Sequence, residues 1–482
     1  MLCLGMLMVA LDMTIVTVAL PSIQSQLAFS PARLTWVLNA YLLTFGGFLL
    51  LGGRLGDLYG QRRLMLAGLA VFTLASAACG LADSQLAIIS ARAIQGIGGA
   101  IVAAVSLSLI MTLFVEPAER AMAMGVFGFI VAAGGSIGEV LGGILTQGFG
   151  WHAIFLVNVP IGIAVAALCL ALVPRDAPQA TPRSLDAVGA VTITAALVLA
   201  AYAIVGAASA GWVSMQTDAL LGAAVALAAI FIAVEARAAE PLMPLRLWRL
   251  RNLATANALS VLNAAGLFAW FVTAALYLQH VLHYDPFQVG LCFLPADVLM
   301  AAFSAGLSAR MVVRFGIRGP LCAGLVLSAT GLAVFARAPI DGTFSLDVLP
   351  GMLLLGLGSG VALNPLLLAA TNDVGPHESG LASGLINTSF TLGGALGLAV
   401  LSSLAAVRTA GLVAAGAAAS PALNGGYHLA FLLGAILTSI AALGSLALRA
   451  APGAAADAST ETPDEISAEA SADDSAQASA RT

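Results

Sequence analysis

The chain has 482 residues, of which 60% are hydrophobic and only 9% are charged, whereas about a quarter of an ordinary soluble domain is charged. A soluble core stops growing at about 250 to 300 residues, so this much apolar surface excludes a water-soluble fold. The formal net charge is -5 and every one of the 19 basic residues is Arg, which excludes the basic surface that nucleic acid requires.

A helix needs about 20 apolar residues to cross a hydrocarbon core of roughly 30 Å, and open strands cannot cross it because their backbone groups would be unpaired. Runs of this kind predict fourteen spans, in the order six, two and six. They lie near residues 1–20, 36–53, 64–82, 86–113, 121–145, 154–173, 186–208, 218–236, 254–279, 288–309, 319–336, 346–370, 380–405 and 428–449.

This order predicts an all-α polytopic membrane protein with four parts. They are a first six-helix bundle over residues 1–175, two additional helices with a cytoplasmic linker over 176–250, a second six-helix bundle over 251–450, and a tail over 451–482. The tail is rich in Ala, Ser, Asp and Glu and lacks apolar periodicity, so it is expected to be a disordered acidic segment.

The arginines of the short loops predict the orientation, because cytoplasmic loops of membrane proteins are enriched in basic residues. One set of alternate loops and flanks holds Arg54, Arg62, Arg63, Arg120, Arg175, Arg183, Arg237, Arg246, Arg249, Arg251, Arg310, Arg314, Arg318 and Arg449. The other set holds only Arg33, Arg337 and Arg408. We therefore expect a multi-pass protein of the plasma (inner) membrane with both termini in the cytoplasm.

A short repeat relates the two six-helix blocks. Arg54, Gly60 and Arg62 follow the second predicted span, and Arg310, Gly316 and Arg318 stand 256 residues later. The match favours parallel halves, as many transporters have.

Ionisable residues inside a membrane are costly, so each is a candidate functional residue. Asp12 lies in the first predicted span and Arg92 early in the fourth. A carboxyl that gains and loses a proton there could couple transport to a proton gradient, with Arg92 sensing its charge. The alternatives are that Asp12 only ties the first helix to a neighbour, and that Arg92 extends to the membrane surface.

Two further acidic residues lie within predicted spans. Glu139 lies among glycines at four-residue spacing, and we expect these glycines to form a helix-packing face. Those glycines are Gly134, Gly138, Gly142 and Gly143. Glu139 is interpreted as a second protonation site or a neutral hydrogen-bond donor. Asp297 is interpreted as a contact for a substrate cation, a proton site or a local bond between helices.

The segment Gly53 to Arg63 contains Asp57, Gly60, Arg62 and Arg63 between two spans. Glycines allow tight turns, Asp57 could cap the next helix, and the two arginines suit anionic lipid. We interpret the segment as a cytoplasmic gate held by breakable charged contacts. The alternative, an anchor of basic residues, leaves Asp57 unexplained.

Enzyme signatures are missing from the sequence. It has no phosphate-binding G-x-x-x-x-G-K-[ST] loop and no Lys to place in one, so nucleotide hydrolysis is not expected as the energy source. The cysteines lie in apolar runs without metal-ligand spacing. The histidines are expected in or near loops. We therefore expect no enzyme activity, no cofactor and no metal site.

The segment Gly53-x-Leu-x-Asp57-x-x-Gly60-x-Arg62-Arg63 resembles the cytoplasmic signature of the major facilitator superfamily, and Arg92-x-x-Gln95-Gly96-x-Gly98 resembles its fourth-helix signature. The stretches from Leu11 to Pro21 and from Trp151 to Gly162 are similar to those of its fourteen-helix drug/proton antiporter family. One departure is Glu139, which stands where the antiporter signature of the fifth helix has Pro.

The resemblance implies the major facilitator fold, alternating access between two six-helix halves, and export of small hydrophobic or amphipathic compounds driven by inward proton flow. Small-molecule substrate, protons and membrane lipid are the expected partners, and the protein is expected to be a monomer. A proton symporter or facilitator that imports a small solute has the same architecture and remains an alternative. A non-transporting sensor is disfavoured by the near absence of a soluble domain.

Overall fold

The computed structural model describes residues 2–114, 116–174, 187–238, 241, 243, 245–375 and 378–448. The acidic tail predicted over 451–482, and the predicted cytoplasmic residues Arg175, Arg183 and Arg449, lie outside the described residues. The side chains of Arg54, Asp57 and Arg120 lie outside them as well.

The described residues form seventeen α-helices connected by short segments. In chain order they are α1 (Leu2–Gln26), α2 (Pro31–Leu34), α3 (Trp36–Tyr59), α4 (Gln61–Gly80), α5 (Gln85–Leu113), α6 (Pro117–Phe149), α7 (His152–Leu156), α8 (Asn158–Leu172), α9 (Ala187–Ala210), α10 (Met215–Glu235), α11 (Arg251–His280), α12 (Pro286–Ala302), α13 (Ser308–Phe315), α14 (Arg318–Phe335), α15 (Leu349–Thr371), α16 (Ser379–Ala414) and α17 (Ala419–Ser445).

Twelve stretches of helix among the described residues are long and apolar enough to cross a membrane, and α12 is a shorter apolar helix. A soluble protein could not shield the apolar surfaces of so many such helices from water, so the chain is a multi-pass membrane protein. The count of fourteen spans stays a prediction.

Several helices extend beyond the spans that the sequence predicted. Because α17 begins at Ala419, His428 lies inside a helix, and its predicted place in or near a loop is wrong.

Two blocks of helices pack around buried cores that touch each other. The first block joins α1, α3, α4, α5, α6 and α8, and its core includes large side chains such as Tyr41, Phe72 and Trp151. The second block joins α11, α12, α14, α15, α16 and α17, with Trp270 and Phe293 in one of its cores. The blocks meet where α6 packs on α12, α3 on α16 and α1 on α11.

The additional pair, α9 and α10, packs against this two-block body from the side. Helix α9 contacts both α3 and α16, one helix from each block. Gly47 of α3 lies directly against Thr194 of α9, where a Cβ atom on the glycine would be only 2.1 Å from the Thr194 hydroxyl oxygen. The additional pair therefore borders the contact between the two blocks.

Two glycines turn the chain at equivalent places in the two blocks. Gly60, with φ 93°, links α3 to α4, and Gly316, with φ 73°, closes α13 just before α14. Residues with a side chain rarely adopt such positive φ values, so both turns require glycine. We call the end of the bundle that holds these turns the Arg-rich end and the opposite end the Arg-poor end. The repeat in the sequence thus corresponds to a repeat in backbone geometry.

The segment interpreted as a loop gate is mostly helical. Helix α3 continues to Tyr59, so Gly53 and Asp57 lie within its last turns and only Gly60 connects it to α4. The expectation that this stretch forms a loop after residue 53 is therefore wrong.

Helix α12 continues towards the Arg-rich end through a wider turn. Residues Phe303–Leu307 are π-helical and lead directly into α13. A π-turn replaces the regular i→i+4 hydrogen bonds of the helix with i→i+5 bonds. Asn364 of α15 donates its side-chain amide to Ser304 O at 2.7 Å, which ties α15 to this turn.

Candidate functional site

Asp12 and Arg92 meet in the interior of the first block. Arg92 Nη1 lies 2.5 Å from Asp12 Oδ2, and both side chains are fully buried. Because Arg92 is buried, the alternative in which it extends to the membrane surface is wrong. The structure joins the two residues that the sequence placed 80 positions apart.

Two amide side chains complete the shell around the Asp12 carboxyl. Gln95 Nε2 and Asn158 Nδ2 both donate to Asp12 Oδ1, at 2.7 Å and 3.0 Å. Each of them also lies 3.1 Å from Ser76 Oγ, and that hydroxyl donates to Phe155 O. With one guanidinium and two amides pointing at it, the group is surrounded as an ionised carboxylate requires.

Arg92 is held by more than its acidic partner. Its Nε donates to Val37 O at 2.9 Å, and its Nη1 also donates to Gln95 Oε1 at 2.8 Å. The guanidinium carbon lies 4.3 Å from the centre of the Tyr41 ring, a cation–π distance. Arg92 therefore remains bound to α3 even if the carboxyl of Asp12 becomes neutral.

Close packing by glycine brings these helices together. A Cβ atom at Gly96 would lie 2.4 Å from Tyr41 O, and one at Gly98 would lie 2.5 Å from Phe72 N. Both glycines stand on α5 just after Gln95, so α3 and α4 approach α5 at the level of the site. This approach allows side chains from α1, α3, α4, α5 and α8 to share one small volume.

Glu139 and Asp297 meet at the contact between the two blocks. Glu139 lies on α6 and Asp297 on α12, and only 1% and 3% of their surfaces are exposed. Their carboxyl groups interact electrostatically, and Ser136 also faces Asp297. No hydrogen bond of good geometry reaches either oxygen of Glu139 or Asp297 Oδ2 from the described residues. The sequence showed neither residue as the partner of the other.

The glycines of α6 are in close contact with two different helices. A Cβ atom at Gly134 would lie 2.7 Å from Ala10 Cβ, one at Gly138 would lie 2.9 Å from Leu11 O, and one at Gly142 would lie 2.7 Å from Ile15 O, all on α1. Gly143 instead approaches Phe287 on α12. Thr14 Oγ1 donates across the α1 contact to Gly135 O at 3.1 Å.

The arginines after Gly60 lie at the Arg-rich end. Arg62 Nη2 donates to Leu170 O at 2.6 Å, near the carboxyl end of α8. A cation there is favoured by the helix dipole. Arg63 is exposed. Because the Asp57 side chain lies outside the described residues, its predicted role in a gate stays a prediction.

A cavity of about 1440 Å³ lies near the Arg-poor end, where the first block, the additional helices and the second block meet. Its lining is largely apolar, with Trp36, Tyr202, His280 and Tyr427 among the larger side chains. A cavity of this size and character suits an amphipathic molecule.

The sequence identified the charged members of the site as candidates, but it assigned no role to the neutral ones, although Gln95 stands in the fourth-helix signature. Ser76 and Tyr41 carry no signal that separates them from the many other polar residues of the spans. Asn158 lies in the stretch from Trp151 to Gly162 that resembles the family pattern, so that resemblance was a usable signal. Among the described residues, no group of three or more His, Cys, Asp and Glu side chains suits a metal ion.

Comparisons with known proteins agree with this architecture. Residues 2–398 match the family model described as Major Facilitator Superfamily. The chain is 38% identical over 413 residues to the "Cephamycin export protein CmcT" of Amycolatopsis lactamdurans, covering 85% of each protein. It is 36% identical over 439 residues to the "Puromycin resistance protein pur8" of Streptomyces alboniger, covering 89% of this chain and 87% of that one.

Solved structures show the same fold at low sequence identity. The xylose transporter XylE from E. coli, in an inward open conformation, superposes with a TM-score of 0.62 at 14% identity and covers 94% of this chain and 96% of that one. The nucleoside transporter NupG (D323A mutant) has the same TM-score and identity. With the family model matched over most of its length, the chain belongs to the major facilitator superfamily and is a membrane transporter, not an enzyme.

Proposed function

We propose that this transporter exports small hydrophobic or amphipathic compounds from the cell in exchange for protons. The names of its relatives, which include export and resistance proteins for several antibiotics, support an efflux role. We further propose that α6, and α12 with its continuation, complete fourteen spans, that the Arg-rich end is cytoplasmic, and that the protein resides in the plasma membrane.

The buried pair of Asp12 and Arg92 is the observation that carries the coupling. An ion pair removed from water is stable only while both members are charged and well bonded. A proton on Asp12 would cancel its attraction to Arg92, while Arg92 would keep its contacts with Val37 and Tyr41. Protonation of Asp12 therefore weakens the attachment of α1 to α5 and α8, whereas α5 stays attached to α3.

This change at α1 reaches the contact between the two blocks. Helix α1 packs along α6 and also touches α11, and Gln279 of α11 donates to Val18 O of α1 at 3.0 Å. A shift of α1 therefore moves a helix that takes part in that contact. In the proposed cycle, proton binding at Asp12 favours one arrangement of the blocks and cargo binding favours the other.

The experiment uses purified protein in sealed liposomes, with puromycin and ethidium as probe cargo and an imposed pH difference. We expect Asp12→Asn to reduce gradient-driven transport at least tenfold, because the amide cannot exchange a proton. The matched control is Asp218→Asn, an exposed carboxyl at the start of α10, which should leave transport unchanged.

Three results would count against the proposal. Equal transport by Asp12→Asn and the wild type would remove Asp12 from coupling. An unchanged rate and final level without the pH difference would indicate a passive carrier. Movement of cargo in the same direction as the protons would indicate a symporter, the alternative that the sequence left open.

A further inference from the structure

The carboxyl groups of Glu139 and Asp297 are the strongest feature that the Asp12 site does not use. They come from α6 and α12, one helix from each block, and face each other in the contact between them. Glu139 is only 1% exposed, and neither oxygen of its carboxyl group has a hydrogen-bond partner among the described residues. A buried carboxylate without donors is unstable, so this pair requires a ligand that supplies a positive charge or a donor.

We propose that Glu139 and Asp297 form a single proton-binding site between the two blocks, whose occupancy closes the Arg-poor end of the transporter. One shared proton gives a hydrogen bond between the carboxyl groups and ties α6 to α12. Loss of that proton leaves two adjacent carboxylates, which repel each other and drive the helices apart.

The helix packing argues for a proton and against a larger cation. A Cβ atom at Gly290 of α12 would lie only 2.5 Å from Glu139 O, and one at Gly143 of α6 only 2.8 Å from Phe287 Cα. The two backbones therefore touch at the level of Glu139 and on its Arg-poor side. An organic cation has no room between them, and a metal cation would need more oxygen ligands than two carboxyls and the Ser136 hydroxyl provide.

The neighbouring helices supply no alternative counter-charge. Of the segments packed on α6 and α12, α15 and the π-helical turn carry no titratable side chain. The titratable side chains on the other packed helices, and on α12 itself, are Cys3 and Asp12 on α1, Arg92 on α5, His152 on α7, Arg251, Tyr277 and His280 on α11, and Cys292. Arg92 is engaged by Asp12, and the side chains that act on Glu139 and Asp297 are each other and Ser136. The Glu139 and Asp297 carboxyls therefore respond chiefly to each other.

The position of the pair explains why it acts as a gate. Glu139 lies ten residues before the end of α6 at Phe149, which is roughly 15 Å from the Arg-poor end. Contacts such as Gly143 with Phe287 lie between the pair and that end. The pair becomes accessible when these contacts separate, so it takes up and returns its proton on the Arg-poor side.

This gate deepens the proposed function, and it rests on that function only for its place in the cycle. Asp12 is the site that carries the proton across, whereas the Glu139–Asp297 pair makes closure depend on the pH at the Arg-poor side. The two sites can therefore be tested separately, without any cargo.

The test measures the distance between the blocks at the Arg-poor end by double electron–electron resonance, in lipid nanodiscs. Spin labels are placed at the exposed positions Gln147 and Arg337, after Cys3 and Cys322 are changed to Ser. In this background we expect the population with the longer distance to increase at least threefold between pH 5.5 and pH 8.5.

The variants separate the pair from other carboxyls. Glu139→Gln and Asp297→Asn, each added separately to this background, should keep the short distance at both pH values, because neither can form two adjacent charges. Glu119→Gln, an exposed carboxyl on the same helix, should keep the pH response unchanged. Asp12→Asn should change which arrangement of the blocks is favoured, but the distance at the Arg-poor end should still depend on pH because the pair still titrates. Two independent variants guard against loss of folding in one, and monodisperse elution checks each.

The proposal is overturned if the distance does not depend on pH in the background protein, or if both pair variants respond to pH as the background does. It is also overturned if added Na⁺ at constant pH changes the distance as acid does, because the ligand would then be a metal cation. A pH response lost in Asp12→Asn but kept in the pair variants would assign the gate to the first site.

Discussion

The Asp12 site shows how a few side chains make a charge tolerable inside an apolar bundle. Asp12 accepts from Arg92, Gln95 and Asn158, and Arg92 spreads its donors over Asp12, Gln95 and Val37. Buried ion pairs stabilise only when further hydrogen bonds satisfy both partners. The neutral residues therefore help to stabilise the buried charges, while Nη2 of Arg92 has no hydrogen-bond partner among the described residues.

Two substitutions of Arg92 should distinguish how much its charge and how much its hydrogen-bonding geometry contribute to stability. Arg92→Leu leaves a buried carboxylate without its counter-charge, and we expect a loss of about 3–5 kcal/mol in stability. Arg92→Lys keeps the charge but cannot reach Asp12, Gln95 and Val37 together, so its loss should be smaller. Thermal unfolding in detergent measures both.

Arg237→Leu is the control for this series, since Arg237 is exposed after α10. Its melting temperature should match that of the wild type. A melting temperature of Arg92→Leu that is also unchanged would show that the buried ion pair does not stabilise the fold.

Sequence reasoning found the charged residues of the site because charge is rare in membrane spans. Asp12, Arg92, Glu139 and Asp297 stand out against apolar neighbours in any reading of the chain. Partners cannot be read in the same way, because the contact between Glu139 and Asp297 depends on how α6 meets α12. Ser76 was missed for a different reason, since a serine in a span is ordinary.

At the scale of the helices, glycine spacing sets how closely they approach. Helix α6 turns Gly134, Gly138 and Gly142 toward α1 and Gly143 toward α12. The spacing predicted a packing face, while the division of that face between two partners follows from the bundle geometry. Gly138 thus packs closely against α1, while its neighbour Glu139 places a carboxyl group in the contact with α12.

A methyl group added at Gly138 should disturb the α1–α6 contact. Its Cβ would lie 2.1 Å from Thr14 Oγ1 and 2.9 Å from Leu11 O, and the backbone oxygen cannot move without the helix. We expect Gly138→Ala to cost about 1–3 kcal/mol, as overpacking of tight cores does. Thermal unfolding again gives the measurement.

Gly148→Ala is the matched control on the same helix, because nothing lies within 4 Å of the position of its Cβ. It should be neutral or slightly stabilising, since Ala favours helix more than Gly does. If the two variants melt at the same temperature, close contact at Gly138 is not important for stability.

For the whole molecule, the distribution of arginine predicts which end faces the cytoplasm. We expect a cysteine at Ala236, near the Arg-rich end, to react with a membrane-impermeant maleimide only after the cells are permeabilised. A cysteine at Ala418, near the Arg-poor end, should react in intact cells. Both alanines are exposed, so the two substitutions match, and both are made after Cys3 and Cys322 are changed to Ser. The opposite pattern would reverse the proposed topology and, with it, the direction of export.

The sequence by itself determined that this is an all-helical membrane protein, where most of its helices lie, and which ionisable residues lie inside them. Those properties are local: apolar length, glycine and the rarity of ionisable residues can each be read from a short window. Only the tertiary structure decided that α3 runs on to Tyr59, that Asn158 and Ser76 complete the Asp12 site, and that Glu139 meets Asp297. These contacts join helices far apart in the chain, and their geometry depends on the packing of the whole bundle.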